Sequence, residues 1–217
     1  MQLEWFQYFQ IASLLTAIIC WRGLARFSLL AFIPILIITN ITETLGANIR
    51  SLGLANSYNI YNIYILLVTP FYLYVYRKML LMGKNEKKVF IIIAGLCMCF
   101  LLLNFLFMQG PQQFDSYSAM LIELLNIVFC SLILLRLLMV ENEETILYGT
   151  PYYWISASTL LFSIVALVAL GLQPYIIREG ITLWQRSLYR ALLPVANAFL
   201  YSGYIYSFIL CSKAKKK

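Results

Sequence analysis

Two carboxylates and one guanidinium stand out among the charged groups inside the long apolar stretches of this 217-residue chain: Glu43, Glu123 and Arg190. Carboxamides accompany them. Asn40 stands three residues before Glu43, Asn126 three after Glu123, and Asn197 seven after Arg190. On a helix these spacings keep each pair on one face. Asn62 and Asn104 lie in two further apolar stretches. Converged, these groups would make a charge-selective site for a small polar ligand. Glu43, Glu123 and Arg190 would set the charge, and Asn40, Asn62, Asn104, Asn126 and Asn197 would orient the ligand. Other uses compete. A carboxylate pair with divergent proton affinities runs acid–base chemistry, which would make Glu43 and Glu123 an intramembrane enzyme. A buried Glu–Arg pair also serves as a registry device, and interhelical amides serve as packing contacts.

Absences narrow the chemistry. The chain has no histidine, and aspartate occurs once, at Asp115. A Ser-His dyad, a His-ligated zinc site, a His phosphorelay and a two-aspartate protease therefore cannot be built from this chain alone. Cys20, Cys97, Cys99, Cys130 and Cys211 all fall within or at the inner ends of the apolar runs, which predicts free thiols. Cys97 and Cys99 are two apart, so a helix points them at different faces rather than at one metal. Neither metal nor cofactor is expected.

The elements that must position these groups are dictated by composition. Hydrophobic residues make up 62% of the chain and charged ones 12%, against roughly 45–50% and 25% in soluble domains. A bilayer core of about 30 Å needs about 20 mostly apolar residues per helix. Seven such runs predict an all-α integral membrane protein, a single seven-helix bundle, over about 3–20, 27–45, 58–76, 89–108, 117–139, 152–172 and 187–210. The first run carries Glu4 and no basic region, which predicts a retained helix rather than a signal peptide.

Basic residues set the orientation. With the N-terminus outside, Arg22, Arg26, Arg77, Lys78, Lys84, Lys87, Lys88, Arg136, Lys213, Lys215, Lys216 and Lys217 lie inside. Only Arg50, Arg178, Arg186 and Arg190 lie outside. The C-terminus is then cytoplasmic and the protein multi-pass in the plasma membrane. Trp5, Trp21, Trp154 and Trp184 all sit at run ends, where indoles are half wet. The net charge of +7 faces anionic lipid and implies no nucleic acid.

This orientation puts nearly every intramembrane polar side chain in the outer half, including Glu4, Gln7 and Gln10 of the first run and Asn59 of the third. Glu123 lies roughly 9 Å below the outer end of its helix at 1.5 Å per residue. The inner half offers mainly Ser, Thr and Cys, with Arg136 near enough to the interface to snorkel. No connection is long enough for an output domain. The pattern predicts a non-enzymatic, receptor-like subunit with an outward cavity, read by a cytoplasmic or membrane partner. A small-solute transporter or pore subunit is the alternative, and would need a polar path through the inner half. Pro34, Pro70 and Pro194 are candidate bends, and Ala198 with Ser202 a small-residue packing seam. The acidic run Glu141, Glu143, Glu144 is a solvated loop or a dock for a basic partner, and the lysine tail fixes topology.

Seven helices with the N-terminus outside resemble rhodopsins and receptors in architecture, but no lysine precedes Lys213 in the seventh run to form a Schiff base. Sugar transporters of the same topology carry Pro-Gln inside a helix, whereas Pro111-Gln112 falls in an outer loop here. The stretches ITETLG, YNIYNIY, FDSYS and PYYWISASTLLF resemble small seven-helix proteins of low-GC bacteria such as Bacteroidota. That resemblance implies a membrane bundle and supplies no site residues.

Overall fold

Apolar runs of helical length must satisfy every backbone group internally once they leave water, and each of the seven runs folds as a helix. The computed structural model describes residues 4–49, 58–80, 82–110, 113–139, 147–179, 182–183 and 186–214. The fold is all-α apart from one antiparallel pair of two-residue strands, Thr182–Leu183 with Arg186–Ser187. The helices are α1 (Trp5–Ile19), α2 (Trp21–Arg26), α3 (Phe32–Ala47) and α4 (Tyr58–Met79). They continue with α5 (Lys84–Leu103), α6 (Ser116–Met139), α7 (Pro151–Glu179) and α8 (Leu188–Lys213). A π-turn, Asn104–Met108, extends α5.

Four helical spans are long and apolar enough to cross a membrane: Lys84–Met108, Ser116–Met139, Pro151–Leu172 and Leu192–Lys213. The chain is a multi-pass membrane protein. Its large exposed apolar side chains agree, for α5 and its π-turn present Ile92, Leu96, Leu106 and Phe107, each at least 60% exposed. Such a surface is tolerable against lipid and not against water. Helices α1 and α3 are apolar but shorter, at 15 and 16 residues. Helix α4 has 22 residues, but six are tyrosines and two are asparagines.

Local chemistry explains where the helix ends depart from the apolar runs. The second run begins at Phe27, yet α3 starts only at Phe32. The intervening turn places Ser28 at φ 58, the only non-glycine positive φ among the described residues. Upstream, Trp21–Arg26 forms the short α2. Pro34 then falls in the first turn of α3, where its missing N–H has no intrahelical partner to lose; it starts the helix rather than bending it. Pro70 and Pro194 lie inside α4 and α8. Helix α5 begins at Lys84, earlier than its apolar run, because Glu86 accepts the Gly83 N–H at 2.8 Å and caps a charged first turn.

Helix contacts close a ring: α1 packs on α3, α3 on α4, α4 on α6, α6 on α7, α7 on α8, and α8 on α1. Helix α5 lies outside it, mainly against α4. Two glycines set close approaches between helices. A Cβ on Gly203 of α8 would stand 2.5 Å from Ser158 Cβ of α7. One on Gly23 of α2 would stand 2.7 Å from the Cys211 backbone. The α7–α8 seam thus runs through Gly203, one residue round from Ser202, which is exposed and bonds back to Ala198 O at 2.7 Å.

Aromatic rings fill the middle of the ring of helices. Phe32 contacts Tyr72, Tyr204 and Phe208, Tyr72 stacks with Tyr76, and Phe129 lies between Tyr76 and Phe90. Beyond this core, the end carrying the α3 N-terminus is tied by polar bonds. Tyr152 donates to Phe27 O at 2.8 Å, Ser207 to Pro151 O at 2.9 Å, and Arg26 to Ala214 O at 3.2 Å. Arg136 donates to Leu80 O and pairs with Glu86 at 2.6 Å, joining α6 to the α4–α5 turn. The side chain is thus held by protein groups.

Candidate functional site

A cavity of about 240 Å³ occupies the other half of the ring. It is built from five helices. Helix α3 gives Thr39 and Glu43, α4 gives Tyr61, Tyr64 and Tyr72, and α6 gives Glu123 and Asn126. Helix α7 gives Thr159, Phe162 and Ala166, and α8 gives Leu193, Asn197, Tyr201 and Tyr204. Tyr61 and Tyr72 are eleven residues apart on α4, so the lining runs about 16 Å along the bundle at 1.5 Å per residue. Its far limit is Tyr72 and Tyr204, which belong to the aromatic core.

Helical periodicity accounts for the lining. Positions 61, 64, 65, 68, 69 and 72 of α4 all face the cavity, the three-and-four spacing of one helix stripe. Positions 39 and 43 of α3, and 193, 197, 200, 201 and 204 of α8, repeat it. Most of the polar groups are held from their far sides. Asn126 donates to Glu123 Oε2 at 3.2 Å and accepts from the Tyr76 hydroxyl at 2.8 Å. Tyr61 donates to Glu43 Oε2 at 3.5 Å, Thr39 donates to the Tyr64 oxygen at 3.4 Å, and Thr159 and Tyr204 share a 3.0 Å bond. Asn197 is half-buried in the wall, and its amide makes no hydrogen bond to a described residue. Two ion pairs occur among the described residues, Arg136–Glu86 and Arg178–Glu179, and neither involves Glu43 or Glu123.

Of the eight residues singled out in the sequence, Glu43, Glu123, Asn126 and Asn197 line this one cavity. Asn40 does not; its amide donates to Leu36 O of its own helix at 2.8 Å. Arg190 belongs to the α8 backbone, and its side chain lies outside the described residues, as do Pro111-Gln112 and the run from Glu141 to Glu144.

Asn62 and Asn104 belong elsewhere, to a polar knot that fastens the α5–α6 connection. Asn62 donates to Gln113 O at 2.8 Å and accepts from Asp115 N at 2.9 Å. Asn104 donates to the Asp115 carboxylate, to Ser118 Oγ at 3.0 Å and to Gln109 Oε1 at 3.1 Å. Asp115 caps α6 by accepting the Ser118 N–H at 3.1 Å. Asn62, Asn104, Asp115 and Ser118 are all buried. The π-turn takes part, since Gln109 and Gly110 both donate their N–H to Asn104 O.

The tyrosines are what residue-by-residue reading passes over. Taken singly, Tyr61 is an interfacial aromatic. Taken as a stripe with Tyr64 and Tyr72, it marks a face that is too polar for lipid and too aromatic for a packed seam. Comparison with protein-family models, curated proteins and solved structures finds no match to this chain. The cavity has to be interpreted from its own chemistry.

Proposed function

We propose that the chain is a receptor-like subunit with seven spans in the plasma membrane, N-terminus outside and C-terminus in the cytoplasm. It binds a small polar ligand in the Glu43–Glu123 cavity, and a partner at the cytoplasmic end reads the change. The observation that carries this is the gathering of Glu43, Glu123, Asn126 and Asn197, from three helices, around one cavity. An ionised residue within the membrane is costly, most of all at its centre. Two carboxylates without a described ion-pair partner are a standing cost that ligand binding would offset. The seven helices supply the spans, with α4 contributing its polar stripe to the interior of the ring.

The basic-residue asymmetry supports the orientation, because it places the α3 C-terminal end, where Glu43 and Tyr61 stand, outside. The aromatic core beneath Tyr72 and Tyr204 supports a receptor over a pore, since a conducting path would have to cross stacked rings. The cytoplasmic end then carries Arg26, Arg77, Lys78, Arg136 and Lys213, a basic surface suited to lipid and to an acidic partner.

The test is side-specific labelling. A cysteine at Ala166 reacts with a small membrane-impermeant thiol reagent applied to intact cells. In inside-out vesicles it does not. Reaction from neither side, in a chain that still folds, overturns the ligand-site reading, and reaction only from inside overturns the orientation.

A further inference from the structure

The chemistry of the cavity is one-sided. Glu43 and Glu123 contribute two carboxylates, and no Lys or Arg occurs among the described lining residues. Glu43 is met by the Tyr61 hydroxyl at 3.5 Å and Glu123 by the Asn126 amide at 3.2 Å, and neither contact is an ion pair. An anionic ligand would meet two like charges here, and among the described lining residues phenols, threonines and amides are the groups that could receive it. A positive ligand meets the reverse. Five tyrosine rings, from Tyr61, Tyr64, Tyr72, Tyr201 and Tyr204, line the same space, and a cation within about 6 Å of such a ring is attracted by its quadrupole.

The walls decide between a bare metal ion and an organic cation. No group of three or more acidic or thiol ligands converges among the described residues, so a dehydrated metal ion lacks its cage. Ile65, Val68, Leu193 and Leu200 instead offer apolar surface beside the carboxylates, which suits the alkyl substituents of an ammonium group. The volume of about 240 Å³ is below the roughly 300–1,000 Å³ of sites for drug-sized ligands. It limits the occupant to a compact molecule.

Resting on the reading of this cavity as a ligand site, we propose that its ligand class is a small alkylated ammonium compound, held between Glu43 and Glu123 against the tyrosine rings. The cavity concentrates such cations and repels small anions.

The experiment uses the full chain in membranes with a cysteine introduced at Ala166 or, separately, at Ala119, each being the parent for the glutamine changes, and the chain without either cysteine as blank. Three methanethiosulfonates are compared, trimethylammonioethyl, sulfonatoethyl and the smaller neutral methyl, each rate being divided by that reagent's rate with a free thiol in solution. The cationic reagent is expected to react about tenfold faster than the anionic one, within the range by which charged clefts raise local concentration. Glu43→Gln with Glu123→Gln should bring that ratio to within about twofold, while reaction with the neutral reagent stays unchanged. Tetramethylammonium should slow labelling of the parent cavity, and methanesulfonate should not. Equal rates for cation and anion, with the neutral reagent reacting, overturn the ammonium proposal and leave the ligand-site reading standing. Failure of all three reagents at both positions, in protein that elutes as a folded species, overturns the ligand-site reading itself. Where the double glutamine variant does not fold, protection of the parent by tetramethylammonium alone decides, and its absence counts against the proposal.

Discussion

Gly203→Ala should destabilise the bundle through one identifiable contact. The new Cβ would lie 2.5 Å from both Ser158 Cβ and Ser158 Oγ, and 3.3 Å from Trp154 O. Carbon pairs settle at about 3.5–4.0 Å, so roughly 1 Å has to be found. Rotating the Ser158 hydroxyl does not supply it, because Ser158 Cβ is fixed to the α7 backbone. The helices must separate, and Tyr204, the next residue of α8, then loses its 3.0 Å bond to Thr159. Overpacking of this kind costs about 1–3 kcal/mol. For a chain of this length each kcal/mol shifts Tm by about 2–4 °C, so a loss of about 2–12 °C is expected in detergent. The assay is a thermal-unfolding cycle with Ser158→Gly. That change alone costs about 0.5 kcal/mol in helix propensity, yet it removes the obstructing Cβ. The double variant should therefore be more stable than the two single changes predict, with a coupling of about 1 kcal/mol or more. A Gly203→Ala protein as stable as the parent, or a cycle with no coupling, refutes the contact.

Three further outcomes follow from the same geometry. Gly23→Ala directs its Cβ at the Cys211 backbone at 2.7 Å and Ser212 N at 2.8 Å; no side-chain truncation relieves it, and its Tm should fall further than that of Gly203→Ala. Asn62→Ala strips a donor from Gln113 O and an acceptor from Asp115 N, costing about 1–3 kcal/mol for buried groups left unpaired, while the ratio of cationic to anionic labelling at Ala166→Cys stays at its parent value. Tyr76→Phe leaves Asn126 Oδ1 without its donor. The melting shift should correspond to about 0.6 kcal/mol and not exceed about 1.7, the mean and maximum for interhelical hydrogen bonds in a membrane protein.

The helices were legible because their signal is cumulative: twenty apolar residues outvote any single one. Their ends were less so, for local reasons. The turn at Ser28 sits between apolar residues that read as one run, and the charged first turn of α5 looks like loop until Glu86 is seen to cap Gly83. The site was half legible. Spacing pairs Glu123 with Asn126, and the two do share a hydrogen bond. Spacing also pairs Asn40 with Glu43, but Asn40 spends its amide on its own helix. Composition cannot distinguish an asparagine facing a cavity from one that receives a loop, which is how Asn62 and Asn104 come to hold Asp115 instead of lining the cavity. That partner was the only aspartate in the chain, and its isolation in the sequence concealed it.

The contrast between α4 and α5 bears on how the protein enters its membrane. Helix α5 with its π-turn has the highest hydropathy of the four apolar spans, and only 22% of it is covered by the rest of the chain. A segment of that kind partitions into lipid unaided. Helix α4 is the reverse, because its tyrosines and asparagines make it a poor substrate for one-at-a-time insertion. In the seven-span arrangement it becomes acceptable to the bilayer only once α3 and α6 cover its polar stripe. In that arrangement the stripe that lines the cavity also makes α4 dependent on its neighbours during biogenesis. A truncation that removes α6 and everything after it should leave α5 inserted and α4 without the cover it needs.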